Sequence, residues 1–186
     1  MHLLLLKSRT FALSNQSAKG LSLALRAAKL AESTHLHALL LHALTALSHL
    51  LLSSGDFNAA QKLAEAGLAK AFESGDLEVM ARLLSLSGQA GVGVAGALGA
   101  GRERVALLRR AEGSLERSRE GYGRLEALGE VEALHFMKAR VARFLGEGER
   151  AEREESMRAQ VIAEMEGGVE GFVGKRGRRG SNQRGL

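Results

Sequence analysis

Three groups of residues have types and spacings that could carry chemistry. Gly91-Val92-Gly93-Val94-Ala95-Gly96 spells the G-x-G-x-x-G pattern of dinucleotide-binding turns. That chemistry needs a β-strand before the glycines and a helix after them, because the glycines serve a strand-to-helix turn over a pyrophosphate. Here the upstream segment Leu77–Leu86 reads as helix, and Ala97–Gly101 downstream is mostly glycine and alanine. We therefore expect no cofactor at this motif, only a helix end fraying into an inserted loop. His35, His42 and His49 share one helical face and would be the candidates for a metal. Sevenfold spacing separates neighbours by about 10 Å along a helix axis, and zinc–nitrogen bonds are about 2 Å long. One ion cannot bridge them, and no metal ligation is expected. Third, Glu112, Glu116 and Glu120 alternate with Arg117, Arg119 and Arg124, Glu120–Arg124 standing in the favourable i, i+4 order. Such pairs read as a solvated helix face, each worth about a few tenths of a kcal/mol.

Other chemistries lack their residues. There is no cysteine, hence no disulfide scaffold, thiolate zinc site or cysteine nucleophile. Neither a G-x-S-x-G elbow nor a phosphate-binding G-x-x-x-x-G-K-[ST] loop occurs. No residue is assigned a catalytic, cofactor-binding or metal-binding role, and no small-molecule substrate is expected. The formal net charge of +5 resembles a nucleic-acid signal, but from Gly167 onward Lys175, Arg176, Arg178, Arg179 and Arg184 face only Glu170. That tail holds +4 of the charge, and the nearly neutral body offers no phosphate-binding face. The N-terminal Leu3–Leu6 is followed at once by Lys7, too short for a signal sequence. Leu36–Leu52 carries His37, His42, Thr45, Ser48 and His49, so no membrane span is expected there either.

The elements that would position all these residues are helices. No proline occurs, where average usage would supply about nine, and Leu and Ala dominate over β-branched residues. Internal repeats then set the architecture. In Gly55-Asp56-Phe57-Asn58-Ala59-Ala60, Gly55 ends one helix, Asp56 caps the next and Phe57 packs over the joint. Ala60, Ala64 and Gly67 follow as a small-residue stripe at i, i+4, i+7, a spacing that lets two helices approach closely. Forty positions earlier stand Gly20, Ala24 and Ala27, after a turn at Asn15-Gln16. Ala111, Leu115 and Ser118 repeat the pattern after a gap eleven residues longer, and Ala151, Glu155 and Arg158 follow the turn at Gly146. The extra residues are placed in Gly88–Gly101. Helices are expected over 2–13, 17–31, 34–53, 57–73, 76–90, 104–127, 130–145 and 149–166. Helix 34–53 carries its polar residues, His35, His42, Thr45 and His49, in one narrow stripe, so it should be buried on most sides. The expected fold is all-α: a tetratricopeptide-like α-solenoid of about four antiparallel helical hairpins over 1–166, with turns near Asn15, Gly55, Gly101 and Gly146. Residues 167–186 are expected to be a basic Gly/Arg-rich disordered tail, readable also as a nuclear-import or RNA-contacting segment.

The series Ala18–Ala28, Gly55-Asp56-Phe57-x-x-Ala60, Phe72–Asp76 and Ala81-Arg82-Leu83, continuing through Leu115–Tyr122 and Lys138-Ala139-Arg140 to Gly146, resembles one family. It is similar to the C-terminal repeat region of anaphase-promoting complex subunit 5, in its fungal form, over about residues 1–166. The resemblance rests on order and spacing, since many repeat families share the Gly-Asp-Phe turn. It implies a non-catalytic platform subunit of a large ubiquitin ligase in cell-cycle control, found in nucleus and cytoplasm, whose partners are other subunits of the ligase. Family chains are several times longer, so a fragment or a truncated gene model is expected. The alternative is a tetratricopeptide adaptor of another complex or of a chaperone. A chaperone-type clamp on a C-terminal carboxylate would need Lys, Asn and Arg where this chain has Thr45 and His49.

Overall fold

The computed structural model of the chain describes residues 2–13 and 16–177. Among these there are eight α-helices and no strand: α1 (His2–Leu13), α2 (Ser17–Ser33), α3 (His37–Ser53), α4 (Phe57–Ser74), α5 (Leu77–Ala97), α6 (Arg102–Arg124), α7 (Leu128–Leu145) and α8 (Gly148–Gly177). From α2 onward the connections are two to four residues long. The protein is all-α.

Local chemistry explains where the helices stop and start. Asp56 and Asp76 cap α4 and α5, each carboxylate accepting a backbone N–H of the first turn, from Ala59 at 3.1 Å and from Val79 at 3.0 Å. Five helices end on a residue in the left-handed region: His35, Gly55, Gly75, Glu126 and Gly146. Glycine takes this conformation without a Cβ penalty, which is why three of the five are glycine. After Gly55 and Gly146 the next N–H reaches back to close the final turn, Asp56 to Leu51 and Glu147 to Ala142. His35 does the same with a side chain, so α3 begins at His37 and not at 34. The expected turn at Asn15 lies partly outside the described residues.

A strict register emerges. Helices α2, α3, α4 and α5 start twenty residues apart, as do α7 and α8. The eleven extra residues fall between, but they do not form the loop expected over Gly88–Gly101. Instead, α5 runs on to Ala97, and the connection is only Leu98–Gly101. α5 and α6 are 21 and 23 residues long, against 17 or 18 for α2, α3, α4 and α7. The insertion is absorbed as added helix because the missing Cβ atoms are spent on packing, as shown below. α8 is likewise described through Gly177, beyond the boundary expected at 166; residues 178–186 lie outside the described residues.

Odd-numbered helices touch in series, α1 on α3, α3 on α5 and α5 on α7, while the backbones of even-numbered ones stay apart. α2, α4 and α6 each pack on the odd helices before and after them, and α8 packs on α7. Three apolar clusters lie between them: Ala24, Leu47 and Leu50; then Leu41, Ala64, Val79 and Leu83; then Val92, Leu108, Leu115, Leu134 and Val141.

Candidate functional site

The small-residue stripes are the contact lines between helices. Ala24, Ala27, Ala60, Ala64 and Leu115 are wholly buried, Ala111 and Ala151 nearly so. A Cβ on Gly20 would stand 3.0 Å from Leu50 and from the carbonyl of Ser8, and one on Gly67 3.1 Å from Leu83. Gly55 and Gly146 have open space around them and act through their backbone angles alone. Phe57 is half-buried and lies against Gly93 of α5.

That contact explains the glycine motif. Gly91 and Gly93 lie inside α5, where the strand-to-helix turn of a dinucleotide site is not formed. A Cβ at Gly91 would meet Ala111 at 3.0 Å, and one at Gly93 would collide with the Phe57 ring. One turn earlier, Gly88 seats Leu115, and Gly121 of α6 admits Ala81. The buried Ser118 hydroxyl donates to the Ala81 carbonyl at 2.7 Å, tying the two long helices together. Glycine here lets α5 and α6 close on each other along their length.

The histidine stripe divides. His35 sits in the turn, His42 and His49 are exposed on α3, and Thr45 is buried with its hydroxyl donating to the Leu41 carbonyl at 2.8 Å. Among the described residues no three of His, Asp and Glu converge as metal ligands.

The carboxylates of α6 are a clear correction. Glu112 is buried and Glu116 half-buried, and neither forms part of a solvated face. Lys138 of α7 reaches Glu116 at 2.6 Å and Glu154 of α8 at 2.7 Å. The other oxygen of Glu154 meets Nδ1 of His135 at 2.7 Å. Lys138, Glu154 and His135 are all buried. Glu112 pairs with Arg150 of α8 and with Arg109, which also holds Glu147. Arg119 donates to Glu116 at 2.6 Å and, with help from Lys138 and against burial, holds its carboxyl down to about 2. The expected Glu120–Arg124 pair is not formed; Arg119–Glu116 at i, i+3 takes its place.

The register shows what these charges replace. α7 starts ninety-one residues after α3. The same step carries Leu21, Leu47 and Leu63, all in or against the first apolar cluster, onto Glu112, Lys138 and Glu154. Equivalent positions are thus filled by leucine near one end of the chain and by ion pairs near the other. Sequence reading missed this because charge periodicity on α6 does not reveal that α7 and α8 carry the complementary groups. On α8 the stripe positions Glu155 and Arg158 are not buried; they pair with Arg143 and Glu132 of α7. With no further helix beyond α8 among the described residues, these positions have only α7 to meet.

The site that results is a set of helix faces, closed by glycine contacts between α5 and α6 and by ion pairs among α6, α7 and α8. No protein-family model matches the chain, and no characterised protein matches its sequence. No helix is long and apolar enough to cross a membrane among the described residues.

Proposed function

We propose that this chain is a tetratricopeptide-like α-solenoid of four antiparallel hairpins, α1–α2 through α7–α8, serving as a non-catalytic protein-binding scaffold. The observation that carries this reading is the twenty-residue register with odd helices in contact and even helices apart. Such an array repeats one supersecondary unit and offers long helix faces to partners. Within that class, the order and spacing of the motifs from Ala18 to Gly146 favour a platform subunit of the anaphase-promoting complex, binding other subunits of the ligase in nucleus and cytoplasm. No cofactor and no small-molecule substrate enter this role. Affinity purification of the tagged chain with mass spectrometry tests it. Recovery of ligase subunits supports the platform role. Chaperones or an unrelated assembly in their place would leave the scaffold and remove the ligase.

A further inference from the structure

We propose that the exposed strip Phe136–Arg140–Phe144 on α7 is a docking site for an acidic peptide segment of a partner protein. The three residues stand at i, i+4 and i+8 and so line one side of the helix, the two rings about 12 Å apart. Both rings are large apolar groups left some two-fifths exposed. Each has a guanidinium over it: Arg158 of α8 lies 5.0 Å from the Phe136 centroid and Arg104 of α6 lies 5.5 Å from that of Phe144. Arg158 is neutralised by Glu132. Arg104 and Arg140 are not. Among the described residues no carboxylate lies within ion-pair distance of either; Arg140 meets only the sulfur of Met137, and Nε of Arg104 is buried without a hydrogen-bond partner.

The surroundings make those two cations informative. Residues 102–166 carry thirteen Lys and Arg against fourteen Glu, and of the three basic residues on α7 Lys138 and Arg143 are ion-paired while Arg140 is not. Arg104 over the Phe144 ring and Arg140 one turn before it on α7 therefore give the strip two guanidiniums without carboxylate partners, a local positive spot on a neutral body. That favours a short acidic peptide with apolar anchors over a nucleic acid, whose affinity comes from many phosphate contacts spread along a basic face. The chain's own tail, with Lys175, Arg176, Arg178 and Arg179, has the wrong charge to cover the spot. An extended peptide advances about 3.3 Å per residue with alternate side chains on one face. The sequence Leu-Glu-Asp-Glu-Leu consequently sets its leucines on the two rings and its aspartate opposite Arg140.

This proposal rests on the scaffold reading for the partner being a protein, but the two fail separately: the capture experiment reports on the ligase, a peptide titration only on α7. A fluorescein-labelled Leu-Glu-Asp-Glu-Leu peptide flanked by glycines is titrated with the full chain and followed by anisotropy. Saturable binding that weakens with added salt, and by about tenfold or more in Arg140→Glu, supports the strip. Arg104→Glu and Phe144→Ala should weaken it in the same direction, with circular dichroism unchanged in each. Arg140 is exposed and carries no ion pair, so its reversal leaves the fold intact. No saturable binding, equal binding by Arg140→Glu, equal binding of a lysine-substituted peptide, or tighter Arg140-dependent binding of single-stranded oligothymidine would each overturn the proposal.

Discussion

At the scale of single residues, the same amino acid does opposite things at neighbouring positions of α5. Gly88 and Gly96 are both helical, yet a Cβ on Gly88 would come 2.7 Å from Leu115, while nothing lies within 4 Å of one on Gly96. Alanine in a helix interior is favoured over glycine by about 0.5–1 kcal/mol. Gly96→Ala should therefore raise the thermal midpoint, and Gly88→Ala should lower it through overpacking. A midpoint raised by both would show that α5 and α6 do not pack closely at Gly88. Ala60 gives the matching test on α4. It is wholly buried, and Ala60→Leu should cost about 1–3 kcal/mol in denaturant titration. This residue-scale detail was only partly legible in the sequence. The stripe at Ala60, Ala64 and Gly67 could be read from its spacing, but a glycine that loosens a chain and one that admits a neighbour look alike until the neighbour is known. Hence Gly91 and Gly93 read as loop while acting as contact surface.

Between elements, the contrast lies between a leucine seam and an ionic one at equivalent positions. Removing one partner of a buried pair leaves the other charge unpaired and costs about 3–5 kcal/mol, whereas exchanging the whole set for apolar residues is often neutral or stabilising by about 1–4 kcal/mol. Glu154→Ala, which strips the buried His135 of its partner and leaves Lys138 with Glu116 alone, should be strongly destabilising. The combined Glu112→Leu, His135→Leu, Lys138→Leu and Glu154→Leu exchange, copying Leu21, Leu44, Leu47 and Leu63, should retain or raise stability. A quadruple variant as damaged as Glu154→Ala would refute the equivalence. The ionic seam also has an acid signature. Glu116 is held down to about 2 in the folded chain, against an ordinary value of 4.5. The unfolded chain then binds more protons in that range, and stability falls with falling pH. Its contribution is complete above pH about 4.5 and disappears as pH falls through about 2. Thermal midpoints measured across this window should decline, and the decline should be shallower in Glu116→Gln. The capped starts at Asp56 and Asp76 and the turns at Gly55 and Gly146 could be read beforehand, since each has a local chemical cause. The turns at His35 and Glu126 could not, because each sets a side-chain-bearing residue in a conformation that its type does not favour, closed by backbone bonds from Leu36 to Ala31 and from Ala127 to Tyr122. Lys138 and Arg150, which pair with Glu116 and Glu112, were hidden because they stand on other helices.

The molecule as a whole has unequal ends. α7 and α8 close theirs with Glu132–Arg158 and Arg143–Glu155, whereas α1 leaves Leu3 and Leu6 each 62% exposed. Repeat arrays usually need a polar outer face for solubility, and an uncovered apolar face drives association. Light scattering of the isolated chain should therefore show concentration-dependent self-association, relieved in Leu3→Glu/Leu6→Glu. A monodisperse monomer at high concentration would mean that this face is adequately covered. Exposed faces of this kind, and the strip on α7, are what a scaffold offers inside a larger assembly.

The proposed role as a fixed component of a large ligase meets its sharpest test in size-exclusion of a native extract with quantitative mass spectrometry of each fraction. In that role the chain should elute far above its own mass of 19.8 kDa, in the same fractions as the ligase subunits and in constant ratio to them. Elution as a free chain, or in fractions that hold no ligase subunit, would contradict it.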